Sequence, residues 1–126
     1  MERMKILRKL PSTAETEEGP IIDHRLRGTT IRYDYEGPTG APDWVTIQFS
    51  SGGPMRFTHD PACTELMIGA YSAVAEIQDS EWIAALNLAT SIERERLPDS
   101  LKHFVVYFDH YGCIEVVAAS FEVEGA

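Results

Sequence analysis

The sequence predicts a single α+β domain, a mainly antiparallel sheet made of an N-terminal meander and a C-terminal hairpin and packed on one or two helices. Three observations lead there. Runs with period-two alternation occur between residues 29 and 58 and again between 101 and 123, an amphipathic helix lies between them, and 126 residues with 44% hydrophobic content suit one core.

Met4 to Leu10 can form a short edge strand. Pro11 to Pro20 (PSTAETEEGP) is polar, acidic and bounded by prolines, the composition of a mobile loop. Three strand-like runs follow, Thr29 to Glu36, Asp43 to Ser50 and Pro54 to Thr58. Ile31, Tyr33, Tyr35, Val45, Ile47, Phe49, Met55 and Phe57 supply an apolar face, and Arg32, Asp34, Glu36, Thr46, Gln48, Arg56 and Thr58 a polar one. Gly37 to Pro42 and Ser51 to Pro54 supply turns, where glycine permits positive φ and proline stops a strand. Such a meander has one wet face.

Residues 61–78 allow two readings. Asp60 can cap a helix with Pro61 at its first position, and Cys63, Leu66, Met67, Ala70, Val74 and Ile77 fall at helical spacing. Tyr71, Ala73, Ala75 and Ile77 also alternate, so a short helix from Pro61 to about Gly69 followed by a strand from Tyr71 to Gln78 fits equally. Next, Asp79 or Ser80 caps a helix with a buried stripe of Trp82, Ile83, Leu86, Ala89 and Ile92, ended by Pro98 and Asp99.

Leu101 to Val123 reads as a hairpin. A three-residue loop of His110, Tyr111 and Gly112 needs positive φ only at the glycine, whereas a two-residue His-Tyr loop needs it twice. That loop sets Asp109 opposite Cys113, Phe108 opposite Ile114, Tyr107 opposite Glu115 and Phe104 opposite Ala118. One face is then apolar: Phe104, Val106, Phe108, Ile114, Val116 and Ala118. The other is mixed: His103, Val105, Tyr107, Asp109, Cys113, Glu115 and Val117. A slip of one residue would bring Glu115 into the apolar set.

Residues 1 to 10 carry +3 and residues 11 to 126 carry −12, together the net −9. That acidity argues against nucleic acid or an anionic membrane as partner and is compatible with a basic protein. No run of about 18 apolar residues marks a membrane span, and Lys5, Arg8 and Lys9 interrupt the first apolar stretch, so neither span nor signal peptide is expected and the protein is expected to be cytoplasmic. Cys63 and Cys113 are expected to stay reduced there.

His59 and Cys63 with His110 and Cys113 make a ligand set for tetrahedral zinc, because thiolate and imidazole are borderline-soft donors. The alternative is that both thiols pack as small hydrophobes. Cys113 beside His110 or His103 could also act as a nucleophile, but Asp109 facing it would raise the thiol pKa. Tyr107 and Glu115 form a polar pair on the mixed face, for which Arg32 or Arg56 could complete a network. No phosphate-binding GxxxxGK[ST], dinucleotide GxGxxG, HExxH or GxSxG motif is present. Gly52 and Gly53 read as a turn.

Ser80-Glu81-Trp82-Ile83 followed by His103-Phe104, Tyr107-Phe108, Gly112-Cys113 and Glu115-Val116-Val117-Ala118 resembles a diffuse group of small bacterial α+β proteins. Many of that group have no assigned function, and some serve as immunity proteins against polymorphic toxins. The resemblance spans residues 80 to 123 and transfers no catalytic residue; it implies a small, acidic, non-enzymatic protein that binds a partner. Asp34, Glu36, Asp43 and Trp44 are the candidate contacts, with charge to steer encounter and tryptophan to anchor it. The expected partner is a protein such as a basic toxin domain. The alternative is a small metal-binding protein or an enzyme that uses the mixed hairpin face, and edge strands also allow a homodimer.

Overall fold

Alternation of apolar and polar residues, with glycine or proline at most of the breaks, divides the described residues into nine strands. The computed structural model describes residues 1–14, 16–17, 19–50, 53–93 and 101–125, with the side chains of the second helix described through Leu88. The strands are β1 (Arg3–Lys9), β2 (Ile21–Arg25), β3 (Gly28–Glu36), β4 (Pro42–Ser50), β5 (Met55–His59), β6 (Ala73–Gln78), β7 (Lys102–Phe108), β8 (Gly112–Ala118) and β9 (Ser120–Glu124). A 3₁₀ turn at Asp60–Ala62 and α1 (Glu65–Ile68) precede β6, and α2 (Glu81–Glu93) follows it.

The strands form two antiparallel sheets, one in the order β1-β6-β7-β8-β5 and the other β2-β3-β4-β9. Their facing sides make the core. Ile31, Tyr33, Val45, Ile47 and Phe49 meet Phe104, Val106, Phe108, Ile114 and Val116. Aromatic edges interlock there, Tyr33 on Phe108 at 5.2 Å and Phe104 on Phe121 at 5.3 Å between centroids. The outer face of the five-stranded sheet is mixed, and part of it is a second apolar cluster. Ala75, Ile77, Val105, Tyr107 and Cys113 pack there with Met4, Cys63, Leu66 and Met67, and Trp82 of α2 lies against His103. The expected α+β domain is therefore mostly sheet, in two layers, with two helices on one side. Among the described residues, no helix is long and apolar enough to cross a membrane.

Several expectations are met. Residues 3–9 are an edge strand, and the apolar and mixed faces of the last hairpin are those read from the sequence. Ser80 caps α2, its Oγ accepting from the Ile83 amide at 3.1 Å. Trp82, Ile83 and Leu86 are partly buried on one side of that helix; the expected stripe positions Ala89 and Ile92 and the terminators Pro98 and Asp99 lie outside the described residues and side chains. Of the two readings of residues 61–78, the short helix plus strand is realised. Ser72 at φ 49° breaks any continuous helix, its amide donating to Thr13 Oγ1 at 3.1 Å. Asp60 and Pro61 begin the 3₁₀ turn, and Thr64 caps α1.

Four expectations are corrected. The meander splits, because β5 leaves β4 for the other sheet and pairs with β8, Met55 with Val116 and Phe57 with Ile114. Gly53 permits that crossing, since a Cβ there would lie 1.9 Å from the Val117 carbonyl oxygen; its neighbour Gly52 lies outside the described residues. The chain crosses again after β8, so residues 120–124 pair with β4 instead of extending the last hairpin. β2 went unforeseen because Asp23, His24 and Arg25 hide it behind charge.

The hairpin register is offset by two from the expected one. Phe108 pairs with Gly112, Tyr107 with Cys113, Val106 with Ile114 and Val105 with Glu115. The loop keeps three residues, Asp109, His110 and Tyr111; Gly112 has the expected positive φ, 145°, but the left-handed helical position is His110 at φ 64°. Gly112 is needed in β8 instead, where a Cβ would meet the Thr58 carbonyl oxygen at 2.2 Å. The segment read as a mobile loop, residues 11–20, is pinned at its described residues. Thr13, fully buried, donates to the Tyr107 carbonyl at 2.9 Å, and Tyr33 donates its hydroxyl to the Pro11 carbonyl at 2.7 Å.

Candidate functional site

Among the described residues three polar constellations stand out, and one of them contains most of the residues expected to meet a partner. β3 and β4 pair Asp34 with Trp44 and Glu36 with Pro42, so alternation places Asp34, Glu36 and Trp44 on the outer face of the four-stranded sheet. Asp43 opposes Tyr35 and belongs to the other face, contrary to the grouping expected from sequence. An open groove of about 440 Å³ is lined by Glu17, Asp34, Tyr35, Glu36, Gly40 and Pro42. A smaller hollow of about 200 Å³ continues it to Trp44.

Within this groove the side chains have different duties. Asp34 is buried and holds the 11–20 segment, accepting from Thr16 Oγ1 at 2.7 Å and the Glu17 amide at 3.3 Å. The Thr16 hydroxyl keeps its carboxyl below the usual range against the opposing effect of burial. Glu17 and Glu36 are exposed, and Trp44 keeps 42% of its surface open with the Arg32 guanidinium 5.0 Å from its ring centroid. Glu17 was missed from sequence because contacts of Thr16 and of its own amide with Asp34, made across the fold, bring it here.

The second constellation lies between the five-stranded sheet and α2. Arg56 grips Glu115 with two bonds, Nε to Oε2 at 2.8 Å and Nη2 to Oε1 at 2.9 Å. His103 Nε2 is 2.7 Å from Glu115 Oε1, and its Nδ1 is 2.7 Å from Ser80 Oγ. Burial alone would raise the Glu115 carboxyl, but hydrogen bonds from His103 and Arg56 overcome it and lower its pKa to about 2. An ionised Glu115 only accepts, so His103 carries its proton on Nε2 and, when neutral, accepts the Ser80 hydroxyl on Nδ1. Trp82 covers the pair, 4.1 Å from the Arg56 guanidinium to its ring centroid.

A serine–imidazole–carboxylate chain is the arrangement of nucleophilic catalysis, yet here it fastens a helix. Ser80 Oγ is already used to cap α2, His103 is 1% exposed, and the first amide of α2, Glu81 N–H, is taken by Glu2 at 3.0 Å. The expected Glu115–Arg56 contact is present. The expected Tyr107–Glu115 pair is not, because the offset register sets Glu115 against Val105.

The third constellation surrounds Tyr107, whose hydroxyl donates to Asp60 Oδ1 and lies 3.5 Å from Asp109 Oδ1. That hydrogen bond to Asp60, with burial, raises its pKa. The four expected zinc ligands do not converge. His59 turns Nδ1 to the Asp60 amide at 3.0 Å, Cys63 points its thiol at the Thr58 and His59 carbonyls, Cys113 is fully buried, and His110 is exposed in the turn. Among the described residues, the potential ligands whose donor atoms do gather are Asp60, Asp109 and His110. Burial raises the Cys113 thiol pKa, and the nearby negative groups Glu115 and Cys63 raise it further, so it makes a poor nucleophile. No family model matches the chain, and no curated protein or solved structure matches it either.

Proposed function

We propose that the protein is a non-enzymatic binding module whose acidic groove receives a basic side chain of a partner protein, such as a toxin domain that it neutralises. The observation that carries this reading is the groove itself: Glu17 and Glu36 stand exposed on the outer face, with Trp44 beside them and Asp34 holding the groove wall in place. Carboxylates at the rim speed encounter with a positively charged surface, and a half-exposed tryptophan supplies the apolar contact that slows release. Asp43 adds to the field without lining the groove.

The test is affinity capture at low salt with the wild-type chain and with a Glu17→Gln, Glu36→Gln, Trp44→Ala variant. The wild type should retain one basic protein that 0.5 M salt releases, and the variant should retain about tenfold less or none. An identical capture profile for both chains rejects the groove as the binding surface.

A further inference from the structure

We infer that Asp60, Asp109 and His110 form a divalent transition-metal site, with Tyr107 as its buried supporting residue. One donor atom from each of the three lies within 4.8 Å of the others. They come from two separate segments, the 3₁₀ turn after β5 and the β7–β8 loop, which the Asp60 amide ties together by donating to the Tyr111 carbonyl at 3.2 Å.

Two observations point to an ion instead of a simple ion pair. First, His110 Nε2 stands 3.5 Å from Asp109 Oδ2, whereas a charge-assisted hydrogen bond closes to roughly 2.7 to 2.9 Å. Two ligands bound at about 2.0 to 2.1 Å to a tetrahedral zinc are separated by roughly 3.3 Å. The spacing is one that two groups sharing an ion can take. Second, Tyr107 is 5% exposed, and its hydroxyl is spent on Asp60 Oδ1 with Asp109 Oδ1 within 3.5 Å. A buried donor that fixes one oxygen of a carboxylate and leaves the other free is the outer-shell support that metal-ligating carboxylates have.

Charge agrees. Among the described residues no lysine or arginine ion-pairs with Asp60 or Asp109, so a dication would offset two neighbouring negative groups on a chain that carries −9. Two carboxylates and one imidazole suit zinc or manganese, with the remaining positions open to water beside the exposed imidazole. Cys63 is not a ligand in this arrangement. That separates the site from the thiolate set suggested by the sequence, and it is independent of the acidic groove.

The experiment uses the full chain without a histidine tag and zinc chloride as the probe, followed by calorimetry at pH 7. One ion per chain should bind saturably. Asp109→Asn and His110→Asn should each weaken binding by about tenfold or more, the second keeping a residue that tolerates left-handed backbone. Tyr107→Phe, which preserves the packed ring, should weaken it by about tenfold. Cobalt bound in place of zinc should give a spectrum without thiolate charge-transfer absorption, and circular dichroism confirms that each variant is folded. Absence of saturable zinc binding to the wild type overturns the inference. So does unchanged affinity in folded Asp109→Asn and His110→Asn chains, or a cobalt–thiolate band that Cys63→Ser abolishes.

Discussion

Glu115 is held by both Arg56 and His103, and its charge state ties stability to pH. Its folded pKa, about 2, lies below the ordinary 4.5, so its contribution is complete above pH 4.5 and is lost as pH falls from there toward 2. The shift corresponds to roughly 3 kcal/mol. Glu115→Gln should therefore destabilise the protein by about 3 kcal/mol at neutral pH, and the gap to wild type should close as pH drops toward 2. Urea unfolding at pH 7, 4 and 3 measures this; a constant gap would mean that the carboxylate acts through shape alone. At this scale the sequence was informative about pairs on adjacent strands, since Arg56 was one of two partners foreseen, the other being Arg32. It placed His103 on the same face but not in contact with Glu115; the contact forms because a helix cap, a strand and a second strand converge on one imidazole.

Among the elements, α2 and the 11–20 segment are attached through identifiable bonds. Ser80→Ala removes both the helix cap and the hydroxyl facing His103, and should lower stability by about 2 kcal/mol while raising amide exchange in the first turn of α2. Thr13→Val keeps shape but strips the partners of the Tyr107 carbonyl and the Ser72 amide, which should lower stability by about 2 kcal/mol and expose residues 11–20 to limited proteolysis. If protease sensitivity does not change, the segment is held by its prolines and backbone instead. Strand identity and facing were legible wherever alternation was strong, as in β3, β4, β7 and β8. Register was not, because an offset of two residues leaves every side chain on its own face. The acidic groove was half legible for the same reason: Asp34, Glu36 and Trp44 follow from alternation, whereas Glu17 depends on a loop folding back.

For the molecule as a whole, the partition into two sheets is the part that sequence periodicity could not convey, since period-two patterns look alike whichever sheet a strand joins. The closing strand β9 makes this concrete: Phe121 packs on Phe49 at 6.1 Å and on Phe104 at 5.3 Å between centroids, and Val123 also packs against the core. A chain ending at Ala118 should uncover the β4 edge and form species larger than those of the full chain by light scattering; a truncated chain of unchanged assembly state would show that β9 is dispensable. The two crossings between sheets also sit side by side. The Val117 amide donates to the Pro54 carbonyl at 2.9 Å, and the Ala119 amide to the Ser50 carbonyl at 3.1 Å. That corner works as a stitched seam made of main chain, which a side chain at Gly53 would force apart. The opposite end is closed by the side chains of Thr13, Thr16 and Tyr33, so when the sheets part, they should open from that end first, where the acidic groove lies.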